Sequence, residues 1–362
     1  MSSITWTGAS SWTARIGRAG FRPSSCSRGN RDTGAPVDEQ RRGGIIPLKF
    51  LFLGTGGYAR DVLDHLLDDG LRPLAVITGS DRPSGRGLRA RPSPVALLAE
   101  RKGLEIHKLE KPAGTVFEEI LERHRPDVAL VCDYGSLIPG DVLSLLPGRF
   151  LNLHPSLLPR YRGAAPIRRA LMEGSQRTGV SLMVIDEGLD SGPVVDALET
   201  DILAEDDAGT LGLRLAEAGA RLVETALPAY LEGRLRPREQ DPRLATYAPP
   251  LRKEELLIDW GMPASDIHNR IRALAPRPGA RGRLGGKWLK ILRSRPRQDI
   301  LDLRPGELAR DAKRGMLVGT GRGALEILLL QPEGRRIMDA TEFLRGYRGG
   351  SKDFFEAVSE SG

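Results

Sequence analysis

The sequence predicts an α/β chain: a doubly wound, largely parallel sheet followed by a small β-barrel. Short apolar runs alternate with amphipathic stretches from Leu48 to Leu231, a proline-rich segment interrupts at Gly233 to Pro250, and short alternating runs follow it. At 362 residues and 40% hydrophobic composition, the chain is long enough for more than one domain and apolar enough to fill their cores.

The elements follow in order. Residues 1–47 are rich in Ser, Gly and Arg, carry no acid before Asp32 and read as a disordered leader. The same composition fits a mitochondrial transit segment, whereas the apolar core of a secretory signal is missing, so the setting is cytoplasmic with the mitochondrial matrix as the alternative. Lys49 to Leu53 reads as the first strand, Asp61 to Leu67 as helix, Pro73 to Ile77 as strand, and Pro94 to Arg101 and Val116 to His124 as helices. Val128 to Cys132, Phe150 to His154 and Val180 to Ile185 read as strands, with Pro166 to Glu173 helical between the last two and Asp207 to Leu231 a long amphipathic helix. Four prolines between Gly233 and Pro250 mark a stiff linker. Ala264 to Leu274 then reads as helix, and Trp288 to Leu292, Met316 to Val318 and Ala324 to Leu330 as barrel strands. The expected division is a leader at 1–47, a catalytic domain at 48–232, a linker at 233–250, a barrel domain at 251–349 and a tail at 350–362.

Charge is distributed unevenly. Residues 49–250 hold 25 basic against 29 acidic side chains, and residues 251–362 hold 22 against 15. A basic module joined to a mildly acidic one points to a polyanionic partner, with RNA first and a merely solvated surface as the alternative. Cys26 and Cys132 are the only cysteines, which excludes a disulfide framework, and no apolar stretch is long enough for a membrane span. The histidines at 65, 107, 124 and 268 lie apart along the chain, so no metal site is expected.

The chemistry concentrates in Leu151-Asn-Leu-His-Pro-Ser-Leu-Leu-Pro-Arg-Tyr-Arg-Gly-Ala-Ala-Pro-Ile167 and Gly188-Leu-Asp-Ser-Gly-Pro193. Asn152 and His154, two apart on a strand, project to one side at its carboxyl end, where open α/β sheets bind ligands. The run Val180 to Ile185 is expected to end at the same edge and to deliver Asp190 beside them. An amide and an imidazole can stabilise an oxygen gaining negative charge, and a carboxylate can orient the imidazole or move a proton. No serine or cysteine is placed as a nucleophile, which favours direct transfer of an acyl-like group; taken singly, each of the trio also fits a purely structural role. Gly54-Thr-Gly-Gly-Tyr-Ala59, with Asp81 after the second strand, leaves a dinucleotide-dependent oxidoreductase as a competitor.

Asn152-Leu-His154-Pro-Ser-Leu-Leu-Pro159 together with Leu189-Asp190-Ser-Gly-Pro193 resembles the signature of the folate-dependent formyltransferases. Asp81-Arg-Pro-Ser-Gly-Arg-Gly87, Arg160-Tyr-Arg-Gly-Ala-Ala-Pro-Ile167, Ile258-Asp-Trp260 and Leu330-Gln-Pro332 are similar to the branch acting on methionine carried by initiator tRNA. The resemblance runs from Leu48 to Gly349 and implies a Rossmann-like formyltransferase domain with an oligonucleotide-binding-like barrel behind it. It implies catalysis by Asn152, His154 and Asp190, with 10-formyltetrahydrofolate as co-substrate, methionyl initiator tRNA as partner, a monomeric enzyme, no membrane and no metal. It implies further that Ser156, Leu157, Leu158 and Pro159 grip the folate with Tyr134 and Gly135, and that Arg82, Arg86 and Arg89 meet the acceptor end of the tRNA. Four positions depart from the family pattern: Gly56 stands for proline, Tyr58 for phenylalanine, Asp133 for alanine and Arg277 for tryptophan. A formyltransferase acting on an amino sugar or small amine, and a nucleic-acid-binding protein with an inactive domain, remain alternatives.

Overall fold

The computed structural model describes residues 48–84, 89–110, 114–300, 302–311, 313–349 and 353–356. The expected leader and most of the expected tail lie outside them.

Strand β1 (Phe50–Gly54) leads into helix α1 (Gly57–Asp68) and strand β2 (Ala75–Gly79). A hairpin of β3 (Arg82–Ser84) and β4 (Arg89–Arg91) precedes α2 (Pro94–Arg101), β5 (Ile106–Leu109), α3 (Gly114–His124) and β6 (Val128–Cys132). Then come α4 (Gly140–Leu145), β7 (Phe150–His154), α5 (Pro166–Met172), β8 (Arg177–Val184), β9 (Val194–Asp201) and α6 (Ala208–Leu231). The sheet order is β5-β2-β1-β6-β7-β8-β9, in which the first five strands are parallel, β8 pairs antiparallel with β7, and β9 pairs antiparallel with β8.

Period-two alternation sorts the side chains of these strands onto two faces. Phe50, Phe52, Leu130 and Leu151 pack with α1, α2 and α6, whereas Leu51, Leu53, Val131 and Phe150 pack with α3 and α4. Both faces are therefore covered, as a parallel sheet requires. Each fully buried phenylalanine here stabilises the fold by roughly 1.5–3 kcal/mol. Helix α6 starts on a capping box in which Asp207 accepts from the backbone of Gly209 and Thr210 while the Thr210 hydroxyl accepts from Asp207 N–H.

Helix α7 (Ala264–Leu274) opens the second module, followed by β10 (Ala280–Leu284), β11 (Lys287–Arg297), β12 (Glu307–Asp311), β13 (Gly315–Gly319) and β14 (Ala324–Pro332). A short β15 (Met338–Asp339), α8 (Ala340–Gly346) and β16 (Asp353–Phe354) complete it. The strands form an antiparallel ring in the order β10-β11-β14-β13-β12-β16, with a bridge from Leu284 to Phe355 bringing the end of the ring back to its start. Trp260, Ile267, Ile291 and Leu325 lie in its core.

The two modules meet through consecutive arginines of α5. Arg168 donates to the carbonyls of Ala273 and Arg277, and Arg169 donates to those of Pro249 and Pro250 and pairs with Glu255 at 2.5 Å. That guanidinium holds the Glu255 carboxyl down at about 2. Arg277, standing for the family tryptophan, is exposed and contributes its backbone carbonyl to this seam.

Candidate functional site

A cavity of about 950 Å³ opens at the carboxyl ends of β6 and β7, a size suited to a cofactor-sized ligand. Asn152 and His154 line it from the same face of β7, as their spacing predicts, together with Asp190. Asn152 Nδ2 donates to Asp190 Oδ1 at 3.1 Å, and His154 Nδ1 stands 3.6 Å from Asp190 Oδ2. The backbone N–H of Gly163 also donates to Asp190 Oδ2, at 2.8 Å. His154 Nε2 lies 2.9 Å from the carbonyl of Tyr161, which can only accept, so Nε2 carries a proton and Nδ1 is left to exchange one.

The route by which Asp190 arrives differs from the expected one. Strand β8 runs antiparallel to β7, with Val184 opposite Leu151, so the two strands do not end at the same edge. The loop after β8 doubles back instead, closed at its base by Val184 N–H donating to the carbonyl of Pro193. Asp190 sits in the left-handed region at φ 48, a strain of about 1–3 kcal/mol that the surrounding bonds maintain.

Those bonds come from the segment expected to be a linker. Arg238 exchanges both backbone hydrogen bonds with Val194, and Thr246 to Ala248 lies along Tyr161 to Gly163, with Arg162 N–H on the Thr246 carbonyl and Ala248 N–H on the Arg162 carbonyl. Gln240 Nε2 donates to the carbonyls of Asp190 and Gly192 at 2.9 and 2.7 Å, and its Oε1 accepts two bonds from the buried Arg162 guanidinium. Gln240 and Arg162 thus brace the Asp190 loop. Sequence reasoning missed both, since a lone glutamine in a proline-rich stretch carries no signal.

Ser156, Leu157, Leu158 and Pro159, expected to grip the folate, do not line the cavity. Ser156 is fully buried, its hydroxyl donates to the carbonyl of Arg160, and Ser181 Oγ ties the Ser156 carbonyl to the Leu158 N–H. This turn is internally satisfied and shapes the chain between His154 and Tyr161. Tyr134 and Gly135 do form cavity wall, joined by Leu137, Ile138, Pro155 and Ile185.

Three of the departures from the family pattern, Gly56, Tyr58 and Asp133, form one cluster, two of them lining the cavity. The Asp133 carboxylate accepts the backbone N–H groups of Tyr58 and Ala59 at the start of α1, and Tyr58 OH donates to the carbonyl of Leu215. A Cβ at Gly56 would lie 1.7 Å from Asp133 Oδ2, so the carboxylate fits only because residue 56 is glycine. Asp133 is exposed to the open cleft, and the protein packed around it still pushes its carboxyl up to about 6 by desolvation, against the two backbone donors that favour the charged form. The carboxylate takes the helix-start donors that a dinucleotide pyrophosphate would need, which removes the support the glycine turn lent to an oxidoreductase.

Arg82 is exposed at the start of the β3–β4 hairpin, more regular than the broken loop expected there. Arg86 lies outside the described residues, and Arg89 is described in its backbone alone. On the barrel, Arg293, Arg295, Lys313, Arg314 and Arg345 surround a shallow concavity. No helix among the described residues is long and apolar enough to cross a membrane.

Comparison with known proteins fits this geometry. A family model described as formyl transferase matches residues 48–227, and one described as formyl transferase, C-terminal domain, matches residues 250–348. The chain is 41% identical over 313 residues to a methionyl-tRNA formyltransferase of Dictyoglomus thermophilum, covering 85% of this chain and 100% of that one. It is 44% identical over 300 residues to the methionyl-tRNA formyltransferase of Thermus thermophilus, covering 83% and 96%. Among solved structures, HypX from Aquifex aeolicus in complex with tetrahydrofolic acid shares the fold with a TM-score of 0.57 at 18% identity, covering 86% of this chain and 51% of that one.

Proposed function

The chain belongs to the formyl transferase family, and from that premise we propose that it moves a formyl group from 10-formyltetrahydrofolate to the α-amino group of methionine esterified to initiator tRNA. The observation that carries the chemistry is the contact of Asn152 and His154 with Asp190 at the rim of one cavity. The amine attacks the formyl carbon, a new C–N bond forms, and the carbonyl oxygen becomes an oxyanion facing the Asn152 amide and a proton on His154 Nδ1. The Asp190 carboxylate, directly or through a water, takes the proton shed by the amine and passes it to N10 of the folate as the oxyanion collapses back to a carbonyl and the N10–carbon bond breaks. His154 keeps its Nε2 proton on the Tyr161 carbonyl throughout, which fixes the ring.

The folate stacks against the wall of Tyr134 and Gly135, and the turn at Ser156, Leu157, Leu158 and Pro159 acts through the placement of His154 and Pro155. Residues 48–232 are the catalytic unit; residues 233–250 brace it as well as leading out of it. The barrel at 251–349, with Arg82, Arg86 and Arg89 of the hairpin, meets the tRNA phosphates. Exposed guanidinium groups on the barrel favour a polyanionic acceptor over an amino sugar or other small amine.

Incubation with 10-formyltetrahydrofolate and charged initiator tRNA, followed by detection of formylmethionine, tests the reading. Formylation of amino sugars with no turnover of methionyl-tRNA would replace it with the small-amine reading.

A further inference from the structure

Away from the cleft, the fold assembles a cluster that the linear spacing conceals. Glu105 immediately precedes β5, His107 lies within β5, and His124 ends α3. The parallel register puts Glu105 level with the start of β2, at the amino end of the sheet, and none of the three residues lines the cavity that holds Asn152 and His154. His107 Nε2 and His124 Nε2 stand 3.3 and 3.5 Å from the same oxygen, Glu105 Oε1. Both nitrogens are shielded from solvent and neither has a hydrogen-bond partner, because each faces that oxygen out of line. The His124 side chain is only 10% exposed. Two unpartnered imidazole nitrogens converging on one carboxylate form a donor set without an acceptor for it.

We infer that Glu105, His107 and His124 bind one divalent first-row transition-metal ion, of the zinc class, that clamps edge strand β5 to helix α3. Bonds of about 2.0–2.2 Å around a tetrahedral ion put ligand atoms about 3.3–3.5 Å apart, and two of the three ligand separations already have that length. All three candidate ligand atoms lie within 4.8 Å of one another, so small rotations of the rings complete the triangle. The competing cation on Glu105 Oε1 is Arg123, at 3.2 Å, and its two-thirds-exposed side chain can swing into water when the ion arrives. A mixed nitrogen and oxygen set suits zinc, cobalt or nickel better than magnesium or calcium. The ion is remote from the transfer chemistry, so its role is structural.

Cobalt titration tests the site, because Co²⁺ absorbs visibly according to its ligand geometry and Zn²⁺ displaces it. The full chain is expected to bind one Co²⁺ with a four- or five-coordinate spectrum, to release it to Zn²⁺, and to unfold at a higher temperature with Zn²⁺ present. His107→Ala/His124→Ala should lose affinity by more than the roughly ten- to hundredfold that loss of an outer-shell partner costs. His124→Gln and Glu105→Gln, checked for folding by circular dichroism and for normal formyl transfer, give the same answer should the double variant not fold. Absence of a stoichiometric Co²⁺ complex in the full chain overturns the proposal. So does an unchanged spectrum and affinity in a folded variant, which would put the ion elsewhere.

Discussion

The cleft and the barrel hold their charges in opposite ways. In the cleft, His154 and Asp190 keep only 5% and 15% of their side chains exposed, with His154 Nε2 held on the Tyr161 carbonyl and the two Asp190 oxygens held by Asn152 Nδ2 and Gly163 N–H. On the barrel, Arg293 and Arg295 keep 59% and 50%; Arg293 pairs with the exposed Glu205, and Arg295 approaches the buried Glu326 only to 3.9 Å. Fixed groups act through geometry, so one substitution should disable the cleft; exposed guanidinium groups act through a summed field, so several are needed to weaken the barrel.

The sharpest test of that contrast is also the largest expected effect. Asn152→Ala, His154→Ala and Asp190→Ala should each lower formyl transfer by at least about a hundredfold with folding intact, and a double variant should lose far less than the product of the singles. Near-normal turnover of the Asp190 variant would falsify the proton route.

One shell out, Gln240→Ala and Arg162→Ala should lower kcat by about tenfold while leaving KM for folate and tRNA close to normal, because they release the Asp190 loop without removing a contact to either substrate. A rise in KM with unchanged kcat would make the brace part of a binding surface instead.

On the barrel, Arg295→Ala or Lys313→Ala alone should weaken tRNA binding only a few-fold, and the slope of log affinity against log salt should fall by about one for each phosphate contact removed. Binding measured at several salt concentrations checks this; a single barrel substitution that abolished turnover at saturating tRNA would erase the distinction between the two regions.

The smallest effect concerns Asp133. Its carboxyl titrates at about 6 in the fold against 3.8 unfolded, so between those values the folded chain holds the proton more tightly. Stability from this group therefore falls as pH rises from about 4 to 6 and stays lower above. Asp133→Asn keeps an acceptor for Tyr58 and Ala59, and should raise the melting temperature modestly near pH 7.5 with little gain near pH 4. A gain equal at both values would separate the effect from ionisation.

Regular elements with their own local signal were legible. The helix at Pro94–Arg101 and the strands at Val128–Cys132 and Phe150–His154 have the bounds that periodicity and flanking turns predict. Pairing direction was not legible: an apolar run reads the same in either sense, and β8 turned out antiparallel. The folate role expected of Ser156 through Pro159 came from a motif, and a motif carries no information on burial: the Ser156 hydroxyl donates to the Arg160 carbonyl and the four residues stand behind the cavity lining.

By itself, the sequence determined the α/β-then-barrel order, the shared face of Asn152 and His154, and the basic bias of residues 251–362, because periodicity and composition are local quantities. Only the tertiary structure decided that Asp190 returns to them from an antiparallel strand and that Gln240 braces its loop. It also joined Gly56 with Asp133, and Glu105 with His107 and His124. These contacts join residues from different elements, and which elements meet is decided by packing and strand register, on which the spacing of residues along the chain is silent.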